Sequence, residues 1–577
     1  MAGNLKPKTR ATRTPDKGGG AAKSKVIGGS LGNCVHVAGV VSFLRLAENL
    51  GYETIFLGPA IPVDRFVQAI EEHDPDIVGM SFRLTPEVGE RLFADLKTRL
   101  AEKKLAGKRF VFGGTPPVCR VAKESGIFER VFDGLEPVEE VIAYLRGEAH
   151  PEEPQDFGAT QIERMKKKAP YPLLRHHFGR PTMEETIQGV RKIAESRMVD
   201  VISIGPDQNA QESFFRPEEM DPALDGAGGA PIRTAEDLKA IYKASRRGNY
   251  PLIRIYSGTR DLIKWAELAV ETVHNAWGAI PLCWYNALDQ RSKRTPEEAI
   301  AENQQAMAWY AERGIPVEVN EAHHWSLRDS HDALAVAMAY LAAYNAKAMG
   351  VNYYIAQYMF NTPPSTYGAM DLAKMLAKME LIEGLHDEKF ISMRQVRAGL
   401  LSLSPDMDVA KGQLAASAVL ALGLRPHIIH VVGFCEGDHA ATAEDVIESC
   451  KIVRGVLKNC LFGMPDGTID ARVQARKEQL KEEAMTIVET MKALGGEGDP
   501  LTGPQNLAAA IRSGILDAPH LKGNPYAAGV LETRVVDGAV YAVDSTTKRI
   551  LSESERLKAL PPSQHRGRPN APRRARK

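Results

Sequence analysis

Two sets of residues in this 577-residue chain have types and spacings that could do chemistry. The first lies in the run Gly28-Gly29-Ser30-Leu31-Gly32-Asn33-Cys34-Val35-His36-Val37-Ala38-Gly39. His36 stands beyond a short apolar strand, Lys25 to Ile27, and ahead of an amphipathic helix, Val40 to Leu50. An imidazole nitrogen so placed can ligate a metal or carry a proton. The second set is dispersed: Arg175-His176-His177, Asp207-Gln208-Asn209, Arg254 with Tyr256, Tyr285-Asn286 with Asp289, and Glu321 with His323 and His324. Gln357-Tyr358, Arg394 and Arg397 continue it. Arginine is the natural carboxylate reader, because its planar fork reaches both oxygens at once. Any single member could be a salt bridge or a polar core residue. The set acquires meaning only if the fold brings its members to one place.

The elements that must position them fall into three blocks. Residues 25–147 alternate strand and helix, with further strands at Asp76–Met80 and Arg109–Phe112. In an open α/β sheet, ligands sit beyond the carboxyl ends of the strands. That is where His36, Ser81 and the pair Gly113-Gly114 fall. A charged stretch with two prolines lies within a linker over 148–164. Residues 165–460 repeat one unit, an apolar run followed by a polar cluster and an amphipathic helix. The runs are Pro172–His176, Val199–Ile204, Leu252–Tyr256, Ile280–Tyr285, Val317–Asn320, Asn352–Gln357, Phe390–Met393 and Ile428–Val432. Such a succession argues for a (β/α)8 barrel, whose chemistry sits at the C-terminal strand ends. Residues 461–560 read as a small lobe: a charged helix, Ala471–Leu494, two turns, and a hairpin around Asp537-Gly538.

Composition narrows the function classes. Hydrophobic residues make up 44% and charged residues 25%, as in a soluble globular protein. The formal net charge of +0 offers no global field for nucleic acid. No unbroken apolar run approaches the ~18 residues of a membrane span, and the basic N-terminal stretch lacks the apolar core of a secretory signal. Six scattered cysteines without a Cys-x-x-Cys pair fit a reducing cytoplasm. Basic, apolar-poor tails, 1–24 and 561–577, read as disordered.

Three ordered motifs over residues ~25–147 resemble the cobalamin-binding domain, whose signature is DxHxxG, then SxL or SxxL, then GG. They are Cys34-Val35-His36-Val37-Ala38-Gly39, Ser81-Phe82-Arg83-Leu84 and Gly113-Gly114. The resemblance implies a flavodoxin-like domain in which His36 ligates cobalt from below. It implies that Gly39 leaves room for the cofactor's nucleotide tail, Ser81 hydrogen-bonds the displaced base, Leu84 belongs to the same cofactor site, and Gly113 and Gly114 admit the tail without a Cβ. Cys34 replaces the signature's Asp, which normally holds the ligand imidazole from behind. Cysteine is a weak donor and a poor acceptor, so a differently tuned metal–imidazole bond is expected.

The barrel carries a second resemblance. Ile428–Val432, Thr442–Ser449 and the lobe segments Gly514–Pro519 and Gly523–Gly529 are similar to the glutamate mutase large subunit. Pro170–Gly179, Val199–Gln208 and Leu252–Gly258 are similar to the large subunit of lysine 5,6-aminomutase. The match is diffuse but covers most of residues ~170–545. It implies an adenosylcobalamin-dependent mutase, an isomerase that rearranges a small carboxylic or amino acid by radical chemistry. On that reading the candidate catalytic residues are Arg175, His176, Asp207, Gln208, Arg254, Tyr256, Tyr285, Asn286, Glu321 and His323. Glutamate is not the expected substrate. Gly278 and Ala279 fall where the glutamate mutase pattern has its Glu, and Tyr256 falls where its arginine partner belongs. Pyridoxal phosphate is not expected either, since Lys23 and Lys25 are weak candidates for its lysine. An aminomutase, a corrinoid methyltransferase and a non-catalytic cobalamin sensor or carrier are the alternatives. A homo-oligomer such as a dimer is expected, with neither nucleic acid nor membrane as partner.

Overall fold

The computed structural model describes residues 24–560, apart from 106, 135, 137, 149–155, 496 and 497. The basic tails, 149–155 of the linker and Lys23 lie outside the described residues. The chain divides into two units, one ending at Asp156 and one beginning at Phe157.

Alternation along the first strands builds the first unit. Ile27, Val78, Phe110 and Phe112 point to one side of the sheet, and Val26, Ile77 and Val111 to the other. Successive strand residues face opposite ways, so a sheet covered on both sides has apolar residues at every position. The strands are β1 (Lys25–Leu31), β2 (Glu53–Ile61), β3 (Ile77–Phe82), β4 (Arg109–Gly114) and β5 (Arg130–Phe132). They lie parallel in the order β2-β1-β3-β4-β5. This is the flavodoxin-like order, whose switch point falls between β1 and β3. Strands run further than the sequence suggests: Ser81 ends within β3, and Gly113 and Gly114 close β4. Gly39 lies in the first turn of the helix Ala38–Asn49 rather than before it.

The second unit is a (β/α)8 barrel. Its strands are β6 (Leu173–Phe178), β7 (Val201–Ile204), β8 (Leu252–Ile255), β9 (Gly278–Ile280), β10 (Val317–Val319), β11 (Tyr353–Phe360), β12 (Ile391–Ala398) and β13 (Ile428–Val431). Parallel ladders join them in the order β8-β7-β6-β13-β12-β11-β10-β9. The remaining seam, β8 to β9, is closed without a ladder. The Ala276 N–H donates to the Ile253 carbonyl at 2.8 Å, and the Ile255 N–H to the Asn275 side chain at 2.9 Å. The lower end of the bore is apolar, with Leu173, Val201, Leu252, Trp277, Ile355, Met393 and Ile428 in contact. The helix Gln161–Lys168 plugs it, started by a Thr160/Glu163 capping box.

Several strand ends differ from the sequence expectation. The fourth strand stops at Ile280, so Tyr285 and Asn286 lie in the loop beyond it. The seventh continues to Ala398, so Arg394 and Arg397 are strand residues rather than its sequel. Arg175 is likewise in the middle of β6. One physical reason covers the last two differences: above its apolar floor the bore is polar. An apolar run therefore ends where the polar interior begins, not where the strand ends.

In the final block the helix Ala471–Lys492 packs on the helices Asp332–Ala348 and Gly368–Glu383. The hairpin forms from β14 (Thr533–Val536) and β15 (Ala539–Ala542), with Asp537 and Gly538 both at positive φ as its tight turn requires. Buried Asp517 accepts the N–H groups of Ala518, Gly529, Val530 and Leu531 and fixes the intervening loop. One helical segment, Met407–Leu424, has the length and apolarity of a membrane span. It follows β12 and packs against that strand and the helix Ala443–Cys460.

Candidate functional site

In the first unit the β1–β3 switch point carries the motif residues. The segment after β1 is tied to its neighbours by backbone: Gly32 donates to the Ile61 carbonyl at 2.8 Å, and Ala60 to the Cys34 carbonyl at 2.9 Å. Cys34 is wholly buried in the core, while Val35 and His36 project to the surface. The Cys34 sulfur lies 3.6 Å from His36 Nδ1. Cys34 thus stands behind the imidazole, where the signature's Asp would be, and Nε2 is left free to face outward. Ser81 Oγ donates to the His36 carbonyl at 3.4 Å, and Ser30 Oγ to the Ser81 carbonyl at 3.3 Å. Ser81 therefore steadies the histidine loop. Leu84 is exposed beside the same strand end.

The glycines divide into two kinds. A Cβ on Gly39 would meet nothing within 4 Å, and one on Gly113 only the Phe132 carbonyl at 3.9 Å. Open space at these two positions is what an inserted nucleotide tail requires. On Gly114 a Cβ would lie 2.7 Å from the Phe82 carbonyl and 2.8 Å from the Phe112 ring. Gly114 is required by its protein neighbours, whatever binds beside it. An outward imidazole, a buried sulfur behind it and two open glycines at one switch point fit cobalamin.

In the second unit a charged network fills the bore directly above the apolar floor. Glu318, on β10, is wholly buried. It accepts from Arg175 at 3.1 Å, Arg254 at 3.2 Å, Trp277 Nε1 at 2.5 Å, and the Gln357 amide. Burial alone would raise its pKa, but Arg175, Arg254 and the indole N–H outweigh that and hold it at about 2. Every nitrogen of Arg175 has a partner: Nε donates to Ser203, one terminal nitrogen to Glu318 and Gln395, and the other meets His177. Arg254 differs. One terminal nitrogen reaches Glu318, while its Nε and the other have no partner. Its guanidinium lies over the Tyr256 ring at 4.3 Å.

The next layer toward the carboxyl ends is polar and short of acceptors. Arg397 shares the inward face of β12 with Met393 and Gln395. Its Nε donates to the Ala398 carbonyl at 3.4 Å, and among the described residues no carboxylate lies within 4 Å of its guanidinium. Beside it the His177 ring stacks on Tyr256 at 5.1 Å, and His177 Nε2 meets the Tyr256 hydroxyl at 3.0 Å. His430 packs edge-on to His177 at 4.5 Å, and His323 against His324 at 4.5 Å. His430 Nδ1, His323 Nδ1 and His324 Nε2 are buried without partners. Burial, and then the nearby arginines (for His324, first the adjoining His323), push all four rings well below the usual histidine range, so they are neutral at pH 7.

The other residues singled out in the sequence sit elsewhere. His176 faces out of the bore, with Nδ1 on the His177 carbonyl. It alternates with Arg175 and His177, and strand geometry sends it to the other side. Asp207 is consumed by structure: it caps the helix Gln208–Ser213 through Ala210, accepts from Gly226, and takes both terminal nitrogens of Arg233. Gln208 is exposed at the start of that helix. Asn286 closes its own loop, through the Cys283 carbonyl and the Leu288 N–H. Glu321 accepts the N–H groups of Leu282 and Cys283 and the Trp325 indole, pinning the loops beyond β9 and β10. Tyr285, at φ 66°, lies under Arg291 and against His324, and burial raises its hydroxyl to about 12.

The residues central to the bore but absent from the sequence candidates are Glu318 and His430; Arg397 belongs to the dispersed set read from the sequence but not to the residues given a catalytic role there. The signal for Glu318 was available, as a lone carboxylate inside Val317-Glu318-Val319. A charge in a buried strand requires a charged partner.

Residues 24–142 match the B12 binding domain family, so this part of the chain is a cobalamin-binding domain. A novel cobalamin-binding protein from Desulfitobacterium hafniense DCB-2 is 24% identical, with a TM-score of 0.18, over 19% of this chain. This chain spans 52% of that protein's length. The cobalamin-dependent S-adenosylmethionine radical enzyme OxsB, in its apo form, is 12% identical with a TM-score of 0.19, over 84% of this chain and 83% of its own. At these scores neither likeness bears on the chemistry of the barrel. No curated protein matches the chain.

Three outcomes follow from this geometry. His36→Ala should bind cobalamin much more weakly and lose the histidine-nitrogen hyperfine splitting of the Co(II) resonance; an unchanged splitting would remove His36 as ligand. Cys34→Asp, which restores the signature residue, should keep or tighten cobalamin binding in an equilibrium titration. Glu318→Gln leaves two buried arginines uncompensated and should cost roughly 3–5 kcal/mol, read as a lower Tm of the barrel transition. Because the folded pKa of Glu318 is depressed, its stabilisation is complete above its ordinary value of 4.5 and fades as pH falls toward about 2. Melting temperatures across that interval should converge for wild type and variant.

Proposed function

We propose that the protein is an adenosylcobalamin-dependent radical mutase acting on a small carboxylate-bearing acid. One observation carries this reading: a cobalamin-binding domain shares a chain with a barrel in which buried Arg254 keeps two unpaired nitrogens in the charged layer and Arg397, one layer above, has no carboxylate within 4 Å among the described residues. The resemblance of the barrel and lobe to glutamate mutase and lysine 5,6-aminomutase supports it.

When bound, adenosylcobalamin supplies a cobalt–carbon bond that breaks homolytically. The chain supplies everything else. His36 holds the cofactor at the β1–β3 switch point, with Gly39 and Gly113 giving it room. Arg397, with the free nitrogens of Arg254, takes the substrate carboxylate. Arg175 is a positioning residue that keeps Glu318 ionised and Arg254 aimed. The neutral rings of His177, His323 and His430 offer hydrogen bonds without adding charge, and the Tyr256 hydroxyl closes one wall. The plugged apolar floor keeps water from entering below, as reactive intermediates demand.

Glutamate is set aside as substrate, because Gly278 and Ala279 offer no carboxylate and Tyr256 stands in an arginine's place. A cytoplasmic homo-oligomer belongs to the same proposal. The six cysteines form no disulfide.

The test is electron paramagnetic resonance of the protein with adenosylcobalamin and a panel of carboxylic and amino acids. A coupled Co(II)–organic radical signal and an isomerised product are expected with one of them. Methyl transfer without a radical would replace the reading with a methyltransferase, and tight binding without turnover would replace it with a carrier or sensor. Arg397→Ala should then lower turnover of that acid by about 10–150-fold, as loss of a charge-assisted hydrogen bond does, with cobalamin affinity unchanged. Wild-type turnover in this variant would remove Arg397 from the site.

A further inference from the structure

The loop after β13 gathers side chains for which the proposed reaction has no use. Cys435 lies in the short turn Phe434–Gly437, His439 follows it, and Asp445 stands in the first turn of the helix Ala443–Cys460. One ligand atom of each lies within 4.8 Å of the others. The His439 imidazole is oriented as a metal ligand usually is. Its Nδ1 meets Asp438 Oδ2 at 2.7 Å, while Nε2 faces Asp445 Oδ2 at 3.1 Å. A carboxylate on the far nitrogen fixes the ring and raises its basicity. Asp445 is itself held by the backbone N–H and hydroxyl of Thr442, at 2.9 and 2.6 Å.

A second observation comes from the other side of the loop. His176 is buried on β6, next to β13, and its Nε2 has no partner. With Nδ1 donating to the His177 carbonyl at 2.6 Å, Nε2 presents a lone pair. A Cβ on Gly433 would lie 3.5 Å from that nitrogen and 3.2 Å from Cys435 Sγ. The orphan nitrogen and the thiol therefore border the same small space, which the missing side chain of Gly433 keeps open.

We propose that Cys435, His439 and Asp445, with His176 as the fourth donor, bind a zinc(II) ion. One sulfur, two imidazole nitrogens and one carboxylate oxygen make a four-donor set suited to this borderline ion. Binding would displace the thiol proton of Cys435 and the proton that His439 Nε2 shares with Asp445, releasing up to two protons per ion. Burial, and then Asp445, push that thiol up to about 12 without a cation nearby; zinc reverses both effects. The ion would tie the loop after the last strand to the first strand, beside His177 and below the carboxyl mouth of the barrel. It is independent of the cobalt site, which lies in the other unit.

The experiment uses the full-length, cobalamin-free protein, stripped with a chelator and dialysed against zinc(II). One zinc per chain should remain by elemental analysis, and zinc X-ray absorption should show a single sulfur among nitrogen and oxygen ligands. Cys435→Ser should abolish the sulfur shell. His439→Ala changes an exposed residue and leaves the fold intact, and it should weaken retention at least as much as Asp438→Asn, about 10–100-fold. A wild type without zinc, a coordination shell without sulfur, or undiminished binding in both Cys435→Ser and His439→Ala would overturn the proposal.

Discussion

The carboxylate of Glu318 is the group on which the interior of the barrel depends. It sits at zero exposure between Arg175 and Arg254, with the Trp277 indole and the Gln357 amide completing its coordination. Barrel interiors of this kind are ordinarily filled by layers of branched apolar side chains. Here the lowest layer keeps that rule and the next breaks it. A buried ion pair is poor evidence for stability, since desolvation offsets most of its attraction. Its use is geometric. Glu318 holds two guanidiniums at one height in the bore, and everything toward the carboxyl ends is built on that platform.

What stands on the platform is an imbalance. Three guanidiniums, of Arg175, Arg254 and Arg397, gather near one fully ionised carboxylate. The surrounding histidines are neutral, because burial disfavours the charged ring and protonation would add to a site that already carries an excess of positive charge. Buried donors without acceptors are costly, and folds retain them where something else supplies the acceptor. A carboxylate-bearing molecule would supply both the acceptor and the missing charge. The loops beyond β9 and β10 enclose the same end, pinned by Glu321 and packed with Trp284 and Trp325, whose rings meet at 4.7 Å.

The cobalamin-binding unit obeys a different constraint. Its strand order creates a crevice beside β1, and backbone bonds to β2 hold the loop carrying His36 over that crevice. Cys34 is wholly buried at its position behind the imidazole. An aspartate there would have to meet the imidazole nitrogen to be satisfied, as the family signature has it. The sulfur at 3.6 Å makes a weaker contact, so the imidazole is braced more by its loop than by its partner.

Much of this was legible in the sequence. The succession of barrel units follows from periodicity and turn signals, and the flavodoxin-like unit with His36 from a resemblance carried by three short motifs; all of these are local properties of the chain. The hairpin at Asp537-Gly538 is a further case, since two residues at positive φ name their own turn. The candidate site in the barrel was legible only as a set of residue types. Inward and outward neighbours on one strand have the same sequence context, so Arg175 and His176 could not be told apart, yet one enters the network and the other faces away. Asp207 and Glu321 have the character of catalytic carboxylates in the sequence, and their partners Arg233 and Trp325 reveal them as fasteners. Glu318 stood between two valines as a lone buried charge whose partners the sequence did not name, and Arg397 was visible as a residue type but placed beyond the strand rather than on it. Which charges meet is decided by the closure of the barrel, because residues from β6, β8, β10 and β12 become neighbours only when the sheet curls round. Sequence spacing fixes which elements form; only that closure fixes which of their side chains share a dielectric and an ion.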